Sequence, residues 1–147
     1  MNIFKVTIMF LCLILVSSCA TTYKKASSLT GTGYSDSILQ QGMYEITFNG
    51  NSDTQVTTAQ DYALLRAAET CLENGYKTFD IVNSHDNSKT ETGAYTSYYG
   101  RHYADTTVYT STYPKIMLII KCSSENNLTF VAEEISANLR KKYKLDK

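Results

Sequence analysis

The chain has 147 residues, with 14 basic and 14 acidic side chains, so its formal charge is zero. A near-neutral body lacks the field that draws polyanions, which argues against nucleic acid as a partner. The length holds one domain without tandem repeats. Tryptophan is absent, proline occurs once and tyrosine twelve times, so phenols dominate the aromatic chemistry.

Residues 1–5 form a short leader carrying Lys5, and residues 6–16 (VTIMFLCLILV) are apolar without a break. A bilayer crossing takes about 20 apolar residues, so this run fits the core of an export signal better than a membrane span. It ends in Val16-Ser17-Ser18-Cys19: a branched apolar residue, two small ones, then cysteine. That pattern resembles the lipobox of bacterial prolipoproteins. Small residues let the backbone enter a processing protease, and the Cys19 thiol takes a diacylglyceryl group. The resemblance implies a signal peptide at 1–18 and a lipid on Cys19, with a membrane as partner. At roughly 0.8 kcal/mol per buried methylene, two or three acyl chains such as palmitate hold a protein durably. An ordinary small-x-small cleavage site drawn around residues 17–20 is the alternative. Cys12 follows bulky Leu11 inside the apolar run and leaves with the signal. Ala20, rather than Asp, at the second mature position resembles an outer-membrane sorting pattern, implying an outer-membrane address facing the periplasm. Residues 19–40 are small, polar and glycine-containing, which predicts a lipidated cysteine followed by a flexible tether.

Residues 41–147 make a single periplasmic domain. Residues 43–49 (MYEITFN) alternate, with Tyr44, Ile46 and Phe48 on one face, as a half-buried strand does. Thr57 or Thr58 offers an N-cap with Gln60 or Asp61 three residues on, predicting a helix over about 58–74. Its stripe is Leu64, Leu65, Ala68, Cys71 and Leu72, and Gly75 closes it as a left-handed cap. Residues 77–83 predict a second strand, which a helical crossover sets parallel to the first. The segment 84–113 is rich in Ser, Thr and Gly and holds Tyr95, Tyr98, Tyr99, Tyr103 and Tyr109. It reads as a long loop, or as a hairpin turning near Gly100 with a strand over 106–112. Those five tyrosines offer a contact surface of large area and low entropy cost, or else edge-strand side chains with wetted hydroxyls. Residues 115–122 (KIMLIIKC) form the most apolar run and predict a central strand. Asn126 or Asn127 caps a second helix with Leu128, Val131, Ile135 and Leu139 at helical spacing, and Arg140, Lys141 and Lys142 complement its dipole. The sum is an α+β fold with a small mixed sheet, in the order β-α-β-β-α, with two helices packed on one face.

With Cys12 removed and Cys19 lipidated, Cys71 and Cys122 remain. One lies on the helix stripe and the other ends the strand that helix covers. In an oxidising compartment a bridge between them is expected over two buried thiols, worth on the order of 4 kcal/mol by chain entropy. No Cys-x-x-Cys is present, so dithiol catalysis has no support. Ser84-His85-Asp86 has the letters of a hydrolase triad, but neighbours on a strand point to opposite faces and cannot relay a proton. His85 and His102 lack identifiable co-ligands, so no metal and no cofactor is expected.

Gly33-Tyr34-Ser35-Asp36, Tyr44 to Asn51 (YEITFNGN), Tyr62 to Glu69 (YALLRAAE), Gly75-Tyr76 and Phe79 resemble a family of small uncharacterised bacterial lipoproteins. Its marks are a G-Y-S-[DE] start, a strand ending F-x-G-N, and an A-L-L-R-A-A-E helix closed by G-Y-x-x-F. The resemblance covers about half of the mature chain and implies fold and location, with no activity attached. A fainter resemblance is to the outer-membrane stress-sensor lipoprotein of an envelope phosphorelay, which carries two disulfides where this chain has cysteines for one. The reading is a membrane-anchored, non-enzymatic binding or structural module with an envelope protein or cell-wall partner. The alternative is a redox or envelope-stress sensor built on Cys71 and Cys122.

Overall fold

The computed structural model describes residues 20–99 and 103–145. The signal segment and Cys19 lie outside them. The elements run β1 (Gly33–Gln40), β2 (Met43–Asn49), α1 (Val56–Glu73), β3 (Thr78–Asp86), β4 (Lys89–Tyr99), β5 (Tyr103–Tyr113), β6 (Lys115–Ser123), β7 (Phe130–Val131) and α2 (Ala132–Tyr143). Five strands form one sheet in the order β1-β2-β6-β3-β7, and β4 and β5 form a separate two-stranded sheet. The α+β class and the packing of two helices against the sheet are as the hydrophobic pattern predicts.

β6 is the central strand because it is the most apolar. Ile116, Leu118, Ile120 and Cys122 face the helices and are buried. Beside it, Tyr44, Ile46 and Phe48 of β2 fall on the same side through an unbroken antiparallel register, Phe48 opposite Ile116 and Tyr44 opposite Ile120. β3 pairs antiparallel to the other edge of β6, with a bulge between Ile81 and Asn83. β2 and β3 therefore run parallel with β6 between them, so the crossover direction is as expected although the two strands do not pair. Every pair of named strands is antiparallel. An isolated bridge from Lys25 to Tyr34 adds a parallel step.

α1 lies close on the sheet because alanines face it: Ala59, Ala63, Ala67 and Ala68 are fully buried. That shifts the buried face from the predicted stripe. Leu65, Ala68 and Cys71 are inside, while Leu72 is 39% exposed. The helix starts earlier than the capping pattern predicts, with Gln55 at the N-cap and no side-chain bond there, so Thr57 and Thr58 are already helical. Its end follows the prediction. Gly75, at φ +79°, lets its N–H reach the Leu72 carbonyl at 3.0 Å and the Tyr76 N–H reach Cys71 at 2.9 Å.

Two other expectations need correction. The tether drawn over 19–40 does not survive as one: residues 33–40 are β1, paired along β2 from Gly33 opposite Asn49 to Gln40 opposite Met43. Part of residues 20–27 also rests on the body. Thr21 is buried, its N–H bonding Asn51 Oδ1 at 3.1 Å and Thr54 Oγ1 at 3.0 Å. β1 escapes an apolar pattern because its inward positions are Tyr34 and Asp36, which meet Arg66 rather than a greasy core. Gly33 is obligatory in this docking: a Cβ there would stand 2.5 Å from the Lys24 carbonyl oxygen. The second helix, predicted from Asn126 or Asn127, begins instead at Ala132. Phe130–Val131 first pair with Thr78 and Phe79 as β7, because stacking of Phe130 on Phe79, with centroids 5.2 Å apart, holds that stretch extended.

Candidate functional site

The Cys71–Cys122 disulfide is formed, with 5.8 Å between the Cα atoms and a sequence separation of 51. It fastens the last turns of α1 to the end of β6. Cys71 is fully buried and Cys122 is 6% exposed. Schellman closure of α1 at Gly75 and the 2.7 Å bond from the Cys122 N–H to the Gly42 carbonyl fix the backbone on both sides. Helix end, central strand and β1–β2 turn thus meet at one covalent point.

The segment 84–113 is a hairpin, not a loop. β3 continues to Asp86, and β4 and β5 pair in unbroken register from Lys89 opposite Tyr113 to Tyr99 opposite Tyr103. At about 3.3 Å per residue, eleven-residue strands make an arm about 36 Å long. Alternation gives it two unlike faces. Thr90–Thr112, Thr92–Thr110 and Thr96–Thr106 are cross-strand pairs with hydroxyls 2.9–3.4 Å apart. The opposite face carries Tyr95, Tyr109 and Tyr113, which are 56, 54 and 40% exposed. The Tyr109 ring lies across Gly93, where an added Cβ would stand 2.4 Å from it. Glycine there lets the phenol lie flat. Of the five tyrosines singled out from the sequence, Tyr95 and Tyr109 share this face. Tyr98, Tyr99 and Tyr103 belong to the strands, but their side chains lie outside the description.

A recess of about 300 Å³ opens where the N-terminal half of α1 meets β3 and β6, lined by Gln60, Asp61, Leu64, Ile81, Ser84, Asp86 and their neighbours. Ser84, His85 and Asp86 all border the recess, but the register alternates them across the strand. Ser84 and Asp86 stand opposite Leu118 and Ile116 on the helix side, and His85 stands opposite Met117 on the other. The carboxylates there are engaged already. Asp61 takes the Lys142 ammonium and the Tyr143 hydroxyl, each at 2.5 Å. Asp86 accepts the Ser88 hydroxyl and N–H, which hold its carboxyl below the usual range. Among the described residues no cluster of three His, Cys, Asp or Glu side chains is placed to hold a metal.

The charged cluster of the molecule is structural and was not foreseen from sequence. Arg66, 9% exposed, bonds Asp36 through Nε at 2.8 Å and Glu73 through both terminal nitrogens at 2.8 and 2.9 Å. Burial opposes its charge, but the bonds to Glu73 and Asp36 prevail and raise its pKa. Glu69, beside it, accepts from Arg140 at 2.7 Å and from the Tyr23 hydroxyl. The cluster ties β1, α1, α2 and the N-terminal segment together.

The residues behind the family resemblance are accounted for by these structural roles. Gly33 admits the N-terminal segment, Phe48 and Phe79 fill the core, Arg66 and Glu69 make the ionic cluster, and Gly75 closes α1. Compared with protein-family models, with curated proteins and with solved structures, the chain matches none.

Proposed function

We propose that this chain is a non-enzymatic module of the bacterial cell envelope, fastened to a membrane through an acylated Cys19. The observation supporting an exported location is the Cys71–Cys122 bond, since disulfides form and persist in oxidising compartments and are kept reduced in most cytosols. The apolar leader and the Val16-Ser17-Ser18-Cys19 box point to the same side of the membrane and to a lipid on Cys19. Intact mass of the protein extracted from membranes, with and without reductant, tests the reading. The expected species starts at Cys19, carries acyl groups, and gains two hydrogens on reduction. A chain starting elsewhere, or free of lipid, defeats it.

Between binding and redox sensing, the second has the firmer footing, because its central bond is formed and sits at a mechanical junction. In that reading a dithiol reductant delivers two electrons and two protons. The bond becomes two thiols, the dithiol becomes a disulfide, and α1 loses its tie to β6. Burial of both sulfurs sets the kinetics, since attack needs prior opening of the end of α1. A Cys71→Ala/Cys122→Ala variant that leaves the cell's envelope-stress response unchanged removes the sensor reading and leaves the clamp. The exposed tyrosine face of the β4–β5 arm supports the binding reading, as rigid phenols supply contact area at low entropy cost.

A further inference from the structure

The N-terminal segment does not keep the body at a distance from its anchor. Thr21 is bonded at its N–H and, through its hydroxyl, to the Asn51 N–H at 2.9 Å. Only two residue steps separate it from Cys19, a reach of about 7 Å when fully extended. Whatever anchors Cys19 must therefore lie against the end of the domain that holds Thr21.

That end has a definite composition. Residues 27–32 form a turn braced by Gly31 N–H to Ser27 O at 2.8 Å and Ser27 N–H to Thr32 O at 3.0 Å. Its tip presents Leu29, which is 95% exposed, to solvent. An apolar side chain held outward by a hydrogen-bonded turn gains by entering an apolar phase. Next to the turn, Thr30 to Thr32, the start of the β2–α1 connection and the base of the hairpin surround a shallow recess of about 420 Å³. Lys89 and Lys115 stand on its rim, and Asp53 is the exposed acid in the β2–α1 connection. Tyr113, on the tyrosine face of the arm, also borders it. A leucine tip, two lysines and a phenol are the side chains that suit a headgroup layer, with apolar parts in the acyl boundary and cations at phosphates.

We infer that this end of the domain is a membrane-contact face, with Leu29 seated in the bilayer that holds the acyl chains and Lys89 and Lys115 at its phosphates. The inference rests on acylation of Cys19. It makes the β4–β5 arm leave from headgroup level, and it puts the disulfide end of α1 on the far side of the body.

The absence of tryptophan supplies the test, since one introduced indole reports alone. Mature acylated protein carrying Leu29→Trp is reconstituted into vesicles of phosphatidylcholine and phosphatidylglycerol, with or without brominated acyl chains. Ile38→Trp, at the opposite end of β1 and 66% exposed in the parent, is the control. The expected result is loss of most of the Leu29→Trp emission to brominated lipid, with a blue shift, while Ile38→Trp emits unchanged. Protein that floats with the vesicles but shows no quenching at position 29 overturns the contact face and leaves the anchor standing. Equal quenching at both positions overturns the orientation. Protein that does not float with vesicles removes the acylation reading, and the contact face with it.

Discussion

At the scale of single residues, Arg66 ties β1 to α1 through one guanidinium. It is the inward partner of Asp36, so it decides whether β1 stays on the sheet, and its guanidinium lies 4.8 Å from the Tyr34 ring centroid. Replacing it with Met keeps the aliphatic stem and leaves Asp36, Glu69 and Glu73 without their shared cation. Breaking a fully buried pair costs about 3–5 kcal/mol. Asp36 and Glu73 have side chains 32 and 57% exposed, and water solvates part of the loss. The expected destabilisation is about 2–4 kcal/mol, discounted for that exposure. Urea unfolding of Arg66→Met measures it, and a loss below about 0.5 kcal/mol, the scatter of ordinary surface changes, would show that the cluster is ornamental. Amide exchange should rise along β1 before it rises in β6, because β1 is the edge strand that the cation holds.

Among the elements, the disulfide and the hairpin answer to different parts of the sequence. Cys71 sits on a helical period and Cys122 ends the one segment apolar enough to be central, so the sequence alone brings the two together. The bond closes a span of 51 residues, for which chain entropy predicts about 4 kcal/mol. In Cys71→Ala/Cys122→Ala, which leaves no buried polar group behind, the unfolding free energy from urea titration should fall by about that amount, with a steeper denaturant slope because the uncross-linked unfolded chain exposes more surface. A shift under about 1 kcal/mol would mean that the reduced, unfolded chain is already compact. β2, α1 and β6 were legible for the same reason as the bond: each carries an apolar period that its burial then uses. β1 was not, since its inward positions are an acid and a phenol satisfied by a cation thirty residues on. Nor was the start of α2, where the Phe79–Phe130 contact keeps a helix-compatible stretch extended. The hairpin was half legible. Its alternation of Thr and Tyr fits a strand, but both faces meet water, and no buried side distinguishes such an arm from a loop. The candidate contact tyrosines followed from composition; placing Tyr95 and Tyr109 on one face needed the register. The Ser84 recess could not be read ahead, because it depends on how far α1 reaches across β3.

Over the whole molecule, phenols join what the sheet alone does not. Tyr62 of α1 packs edge-on against Phe48 of β2 and Tyr143 of α2 and at a tilt against Tyr23 of the N-terminal segment, with ring centroids 4.8–5.4 Å apart. Burial raises the pKa of all three tyrosines above the ordinary 10.0. For Tyr23 the hydrogen bond to Glu69 adds to this, and for Tyr143 the one to Asp61. The sign of the linkage follows. Above pH 10 the unfolded chain releases phenolic protons that the folded chain still holds, so folding is progressively disfavoured. The stabilisation from these groups is complete below pH 10 and is lost as pH rises through their folded values. Alkaline titration should therefore show the last share of phenolate absorbance, that of these three rings, appearing together with loss of the helical signal in one cooperative step above pH 10. Complete ionisation of all twelve phenols while the helices persist would contradict the packing of these three rings. Tyr23 is also the side chain that presses the N-terminal segment onto α1. Ionising it beside the Glu69 carboxylate sets two negative charges where one hydrogen bond stood, so the segment should leave the body in the same step. Only then would residues 20–32 become the loose tether that their composition suggests.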